Sequence, residues 1–548
     1  MTRSAHIDTF ARDRLPPRDR WPKFIFELPE LQFAEQLNCA VELLDRPVEA
    51  GRGGRVCLRA PGEPAWTYAE LQQRVNRIAG VLVHRMGLVP GNRVLLRAPN
   101  KPLLVACWFA VVKAGGIAVG SMPLLRSKEL VRIIDKAQIG LALCDTALTG
   151  ELDAAAGAAR TPLRWLDFDA LQSAMAAESD RFDAVPTAAD DVALFGFTSG
   201  TTGQPKATMH LHRDVMAACV CFPPHVLRAT PDDIFIGSPP LGFTFGRGGL
   251  ALFPMHIGAS TVLIEKPSPA VLVDAIAEFG ATVLFTAPTS YRAMAAAAQE
   301  RGISKPHGGL LRKCVSAGEA LPAATRTLWR DATGIELIDG IGATEMLHIF
   351  IAADEADSRP GATGKVVPGY RACIMDETGQ PVPPGVVGRL AVQGPTGCRY
   401  LDDPRQADYV RDGWNYTGDA YLLDADGYFE YQSRTDDMIV SAGYNIAPPE
   451  IEEAVLAHPA VADCAVVGID DVQRGQIVKA FVVLREGIDE GIDEGIDRGS
   501  GDAMLAASIQ DFVKARIAPY KYPRAIEFVV DLPRTATGKL QRFLLRDR

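Results

Sequence analysis

The sequence predicts an α/β protein. A large N-terminal domain of parallel-sheet α/β subdomains with a small β subdomain precedes a small C-terminal α+β domain. Three observations carry this. Helix-length and strand-length apolar segments alternate from about residue 66 to 370, the pattern of βαβ units. After residue 370 the texture turns to short strands between Pro/Gly turns such as Pro383-Pro384-Gly385. Beyond the polar segment Ser433–Met438 a new helix–strand–strand–helix series begins. At 548 residues the chain exceeds what one core supports, and the domains are placed at 1–435 and 436–548.

The elements follow in order. Residues 1–45 form an extension rich in Pro, aromatic and acidic residues, expected to pack along the main body. Leu71, Val75, Ile78 and Leu82 recur at helical spacing behind Thr67 and Glu70, which have capping-box spacing. Arg93–Arg97 reads as a strand. Leu103–Val112 is too short to span a bilayer and reads as a buried helix. Val192–Phe197 reads as a buried strand, and Arg371–Met375 and Gly388–Gln393 as short ones. In the last domain Glu450–Ala457 and Ala503–Ile517 read as helices, and Ala460–Gly468 and Lys479–Leu484 as strands. Gly487–Asp497 holds three Gly-Ile-Asp units. It lacks the period and copy number of a calcium-binding repeat and reads as an acidic surface loop.

Composition narrows the function. Hydrophobic residues make up 47% and charged residues 23%, as in soluble globular proteins. A net charge of −10 argues against a general nucleic-acid or anionic-membrane binder. Ten scattered cysteines with no CxxC pair fit a reducing, cytoplasmic setting and no structural zinc. The charged N-terminus, with Arg3, Asp8, Arg12, Asp13 and Arg14, lacks the apolar region of a signal peptide.

The most informative stretch is Phe197-Thr198-Ser199-Gly200-Thr201-Thr202-Gly203-Gln204-Pro205-Lys206. Glycines allow close backbone approach, hydroxyls and N–H groups donate to oxygens, and lysine adds charge, so the loop suits polyphosphate. It leaves a strand end, where α/β sheets bind ligands. It is not the GxxxxGK[ST] loop, because the lysine follows Pro205 and Ala207 stands where a Ser or Thr would be. A flexible Ser/Thr/Gly turn is the bland alternative.

Four further segments accompany it: Asp339-Gly340-Ile341-Gly342-Ala343-Thr344-Glu345, Tyr416-Thr417-Gly418-Asp419, Arg434-Thr435-Asp436-Asp437 with Ser441-Ala442-Gly443-Tyr444, and Pro533-Arg534-Thr535-Ala536-Thr537-Gly538-Lys539. Together with Ser316-Ala317-Gly318-Glu319, and in this order, they resemble the signatures of the adenylate-forming superfamily of acyl-CoA synthetases, adenylation domains and luciferases. The resemblance covers roughly residues 55–548.

That resemblance implies roles. Thr198, Ser199, Gly200, Thr201, Thr202, Gly203 and Lys206 would cradle the phosphates of ATP, and Thr344 would contact the α-phosphate. Glu345 would hold Mg²⁺, a task that suits a carboxylate. Ala317, Gly318, Glu319 and Asp339 would lie at the nucleotide site. Asp419 and Arg434 would bind ribose hydroxyls. Lys539 would stabilise charge in the transition state. Asp436 would be the hinge of a mobile C-terminal domain, and Gly443 and Tyr444 would line the thiol passage. Most relatives carry Tyr or Trp where Ile341 stands, which leaves adenine packing there open.

The implied reaction has two steps. A carboxylate attacks the α-phosphate of Mg-ATP, giving an acyl-adenylate and pyrophosphate. A thiolate, expected from free coenzyme A, then displaces AMP. For the acid, Phe243, Phe245 and Gly246 would make a flat apolar slot, with Gly340, Ile341, Gly342 and His348 beside it. A core role for the phenylalanines and a packing role for the histidine are the alternatives. The string Asp339–Phe350 resembles that of benzoate-CoA ligases. The extension Asp8–Pro17 with Leu37-Asn38-Cys39-Ala40 resembles 2-aminobenzoate-CoA ligases. The expected acid is therefore 2-aminobenzoate, with benzoate or a hydroxybenzoate next. Lys479, Arg474, Lys521 and Arg524 are weaker candidates for coenzyme A phosphate contacts. Competing readings are a carrier-protein-loading enzyme, an oxygen-dependent luciferase type and a non-catalytic nucleotide sensor. Oligomeric state is left between monomer and homodimer.

Overall fold

In the computed structural model, the described residues are 4–198, 205–303, 308–435, 437–441, 444–471, 474–485, 498–517, 521–534 and 540–546. The chain divides into two compact units. One comprises residues 1–372 and 391–416, the other residues 373–390 and 417–548. The expected boundary residue Asp436 lies outside the described residues.

The first unit contains two sheets. A six-stranded sheet runs in the order Arg164–Asp167, Leu141–Cys144, Arg93–Arg97, Ile117–Ser121, Val192–Thr198, Lys206–Leu211. All pairs are parallel except the last. A nine-stranded sheet has six parallel strands in its middle: Leu337–Gly342, Lys313–Ala317, Val283–Thr286, Ile234–Gly237, Ser260–Val262 and Val56–Arg59. Antiparallel strands close both of its edges. The inner parallel strands, such as Leu141–Cys144, Ile117–Ser121 and Val283–Thr286, are buried on both faces, which is why they appear in the sequence as continuous apolar runs.

The local signals hold. Thr67 caps the helix Tyr68–Gly80, its Oγ1 accepting from the Glu70 amide while Glu70 accepts from the Thr67 amide. The run expected to be a buried helix is Pro102–Lys113, buried throughout. The strands Arg93–Arg97, Arg371–Met375 and Gly388–Gln393 have the bounds read from the sequence.

The extension does more than line the surface. Phe10 and Ala11 enter the core cluster of the six-stranded sheet with Leu95, Val119 and Phe195. Cys39, Ala40, Leu43 and Leu44 are buried. Each large side chain so buried contributes about 1.5–3 kcal/mol.

In the second unit, Phe429–Arg434 runs antiparallel to the strand that carries Asp419, and Asp419 faces Arg434 in register. Gly475–Leu484 lies between Val461–Asp471, antiparallel, and Ala525–Phe528, parallel. The helices Pro448–Leu456 and Arg498–Lys514 cover this sheet, with Ile451, Val455, Ile509 and Val513 in its core. Among the described residues no helix is long and apolar enough to cross a membrane.

Candidate active site

The site in the first unit is built where three chain segments meet. Val192–Thr198 turns back into Lys206–Leu211, with Thr198 opposite Lys206. The loop between them, Ser199 to Gln204, lies outside the described residues. The segment around Tyr400 adds to the other edge of Lys206–Leu211: Thr208 bridges Tyr400, and the Leu401 and Met209 amides donate to the Ala207 and Arg399 carbonyls. The third segment is the short turn Thr344–Met346 after the strand Leu337–Gly342. Leu347 closes that turn at φ +70°, a conformation that costs a branched side chain energy.

Period-2 alternation puts Lys206, Thr208 and His210 on one face of their strand. Both ends of that face reach the Thr344-Glu345 turn. His210 Nε2–H donates to the Thr344 carbonyl at 2.7 Å. Lys206 Nζ donates to the Tyr400 hydroxyl at 3.4 Å, and that hydroxyl donates to Glu345 Oε1. Glu345 is buried, and burial with the nearby Glu345 charge pushes the Tyr400 phenol far up, so it stays a donor. Behind His210, Asp214 Oδ2 stands 3.7 Å from Nδ1 and accepts from Arg399 Nη1 at 2.6 Å. Burial alone would raise the Asp214 carboxyl, but Arg399 and His210 hold it well below the usual range. The Arg399 guanidinium lies 4.9 Å from the Trp21 ring and 4.5 Å from the Phe24 ring.

Glu345 fits a magnesium site in its chemistry. Among the described residues no three His, Cys, Asp or Glu side chains gather into a metal-binding group. Mg²⁺ needs only one or two carboxylates when phosphate oxygens and water complete its shell.

Beside this turn, the aromatic residues form a packed ring cluster around His348. Its ring centroid lies 4.4 Å from Phe253, 5.7 Å from Phe245, 5.8 Å from Phe222 and 6.3 Å from Phe285. Burial pushes the imidazole down to about 3, so it is neutral. Its Nε2–H leans on the Phe245 carbonyl at 3.4 Å, and its buried Nδ1 has no hydrogen-bond partner among the described residues. Gly248 permits this approach, since a Cβ there would fall 2.3 Å from His348 Cδ2. Gly246 is buried under the Pro239 and Pro240 carbonyls. Phe243 precedes the helix Thr244–Arg247 and is half-buried.

The nucleotide candidates lie on neighbouring strands. Ser316 and Ala317 pair with Asp339 and Gly340, and Ile341 pairs with Ile351. Gly318 follows at φ +93° and leads into Glu319. Burial pushes the Asp339 carboxyl up to about 7 against the opposing pull of Arg326. Gly342 lies at the His348 carbonyl.

In the second unit, Asp419 Oδ1 accepts from Arg434 Nη1 at 2.9 Å. Gly418 lets the guanidinium lie over the backbone, because a Cβ would sit 2.7 Å from Arg434 Nη2. Asp437 pairs with Arg546 at 2.5 Å and Arg542 at 3.6 Å. Lys479 and Lys521 pair with Glu527 and Glu450. Asp436, Gly443 and Lys539 lie outside the described residues, and of Tyr444 only its place in the strand Tyr444–Ile446 is described. All ten cysteines are free and nine are buried. Burial pushes thiols such as Cys144 and Cys221 up to about 12, which makes them poor nucleophiles.

Sequence reasoning missed His210, Tyr400, Asp214 and Arg399. A signal for His210 was present, since it shares the strand face of Lys206. Tyr400 and Arg399 are distant in sequence and carry no motif by themselves.

Comparison with known proteins agrees with this architecture. Residues 45–399 match the model of the AMP-binding enzyme family, and residues 450–539 match that of the AMP-binding enzyme C-terminal domain. The chain belongs to the AMP-binding enzyme family. It is 35% identical over 528 residues to a benzoate–CoA ligase of Thauera aromatica, covering 94% of this chain and 97% of that protein. It is 33% identical to a 4-hydroxybenzoate–CoA/benzoate–CoA ligase of Rhodopseudomonas palustris, covering 93% and 94%. Among solved structures, the anthranilate CoA ligase AuaEII in complex with anthranoyl-AMP superimposes with a TM-score of 0.86 at 32% identity, covering 95% and 98%.

Proposed function

We propose that this protein joins an aromatic carboxylic acid, 2-aminobenzoate before benzoate or a hydroxybenzoate, to coenzyme A in the cytoplasm. The chain is an AMP-forming acid–CoA ligase that uses ATP, Mg²⁺ and coenzyme A. The observation that carries the reading is the convergence of Lys206, Tyr400 and Glu345 beside Thr344 at the end of the strand Val192–Thr198.

In this reading the 198–203 loop and Lys206 bind polyphosphate, and Thr344 meets the α-phosphate. Glu345 holds Mg²⁺, which when bound neutralises phosphate charge. Ala317, Gly318, Glu319 and Asp339 face the base, and Asp419 and Arg434 the ribose. The acid lies among Phe243, Phe245, Gly246, Gly340, Ile341, Gly342 and His348. One carboxylate oxygen attacks the α-phosphorus and pyrophosphate leaves. Lys539 stabilises the charge that develops there. The coenzyme A thiolate then attacks the acyl carbon and AMP leaves. Gly443 and Tyr444 serve that second step in a domain beginning at residue 436, with Asp436 as hinge.

Support for an aromatic acid comes from the ring cluster at His348 and from the relatives, whose names specify benzoate, hydroxybenzoate and anthranilate. The test is AMP formation with coenzyme A and kcat/KM for benzoate, 2-aminobenzoate, 2-hydroxybenzoate, 4-hydroxybenzoate and a medium-chain fatty acid. Preference for 2-aminobenzoate is the expected result. Turnover of the fatty acid alone would remove the aromatic reading. Lys539→Ala is expected to abolish adenylate formation while sparing thioester formation from supplied acyl-AMP; equal loss of both would refute the division of roles.

A further inference from the structure

Arg247 ends the helix Thr244–Arg247 and is 5% exposed. Other buried arginines are answered by a carboxylate or by several carbonyls. Arg399 meets Asp214, Arg93 meets Asp8, and Arg97 donates to the Met122, Pro123 and Leu125 carbonyls. Arg247 has no carboxylate partner among the described residues. Its Nε and Nη2 share one acceptor, the Leu241 carbonyl, at 3.2 and 3.1 Å. Desolvation pushes the guanidinium down to about 10 with no neighbouring charge to oppose it. Burying a cation in this way is costly unless something pairs with it.

A cavity of about 20 Å³ adjoins this side chain, with walls that include Leu96, Leu104, Val105, Gly120 and Gly242. Only two of its lining side chains are polar, Arg247 and Trp108. Among the described residues the buried Trp108 Nε1–H has no hydrogen-bond partner, and its ring centroid lies 6.0 Å from the guanidinium carbon. Both side chains are donors only. The space exceeds the roughly 10–15 Å³ that one water needs. A water would satisfy donors but would leave the charge unanswered and turn its own hydrogens toward apolar walls.

We propose that this cavity is a binding site for one compact monovalent anion of halide size, held by the Arg247 guanidinium and the Trp108 indole N–H. Arg247 shares the helix Thr244–Arg247 with Phe245 and Gly246, but the anion proposal does not rest on the choice of acid.

The test uses the full chain. Thermal midpoints are compared in sodium chloride and in sodium gluconate at equal ionic strength, with bromide as a second probe located by anomalous scattering in crystals. The expected result is a saturable rise in midpoint with chloride and bromide, and a bromide peak in the cavity. Arg247→Met should abolish the response. Trp108→Phe, which keeps the ring and removes the N–H, should weaken the apparent halide affinity about tenfold. Equal midpoints in both salts, or a full chloride response in Arg247→Met, would overturn the site and leave a water there. If Arg247→Met does not fold, an unchanged halide affinity in Trp108→Phe together with no bromide peak in the cavity would overturn it as well.

Discussion

Arg399 Nη1 and Asp214 Oδ2 stand 2.6 Å apart, and neither side chain is exposed. The pair links the rear of His210 to the aromatic residues Trp21 and Phe24 of the N-terminal extension. Removing one partner strands the other as a buried, uncompensated charge, which costs about 3–5 kcal/mol. Arg399→Met and Asp214→Leu should each lower the denaturant midpoint of the first unit markedly. The double variant should recover a large part of the loss, because two apolar groups replace two charges. Additive losses in denaturant titrations would mean that the pair contributes through something other than mutual compensation.

Tyr400 joins Lys206 to Glu345 through a single hydroxyl. Tyr400→Phe keeps the ring and its contact with Tyr409 but deprives a buried carboxylate of its donor. With Glu345 holding Mg²⁺ as proposed above, a partner behind it should contribute about 10–100-fold to affinity or activity. Pyrophosphate release by Tyr400→Phe should fall by that order, with a raised Mg²⁺ requirement and little change in the KM for the acid. A variant with wild-type Mg²⁺ dependence would show that Tyr400 does not position Glu345.

Asp339 provides a pH test. Its carboxyl is raised to about 7 in the fold, against about 3.9 in an unfolded chain. Between those values the folded state holds a proton that the unfolded state has lost. Stability from this group is therefore present at low pH and is lost as pH rises through about 7. The thermal midpoint of the wild type should fall more steeply from pH 5 to pH 8 than that of Asp339→Asn. Parallel profiles would show that Asp339 is ionised across this range.

Much of this was legible in the sequence. Thr67 and Glu70 gave away a helix start because capping is local chemistry, and Arg93–Arg97 was visible because a parallel strand must be apolar on both faces. Thr344 and Glu345 were found by motif. The parts not legible depend on pairing across long separations. Tyr400 reaches Glu345 only because its segment adds to the strand Lys206–Leu211, and nothing near residue 400 announces that partner. The extension was expected to pack along the main body and to mark kinship, but nothing in it showed that Trp21 and Phe24 cover the Arg399 guanidinium behind the site. Such a contact leaves no periodic trace.

In the proposed pocket, His348 is the residue to test for the choice of acid. Its neutral ring is packed among four phenylalanines, and its Nε2–H faces the Phe245 carbonyl. The remaining nitrogen, Nδ1, is an acceptor without a partner among the described residues. An ortho amino group on the substrate ring is a donor of matching type, whereas benzoate offers none. His348→Phe keeps the aromatic packing and removes the acceptor. It should lower kcat/KM for 2-aminobenzoate about tenfold, the worth of one ordinary hydrogen bond, while benzoate changes by less than about threefold. Equal loss for both acids would make His348 a packing residue and move recognition of the amine elsewhere in the pocket. A gain for benzoate with loss for 2-aminobenzoate would be the sharpest form of the expected result, since a buried unpaired acceptor penalises the acid that cannot satisfy it.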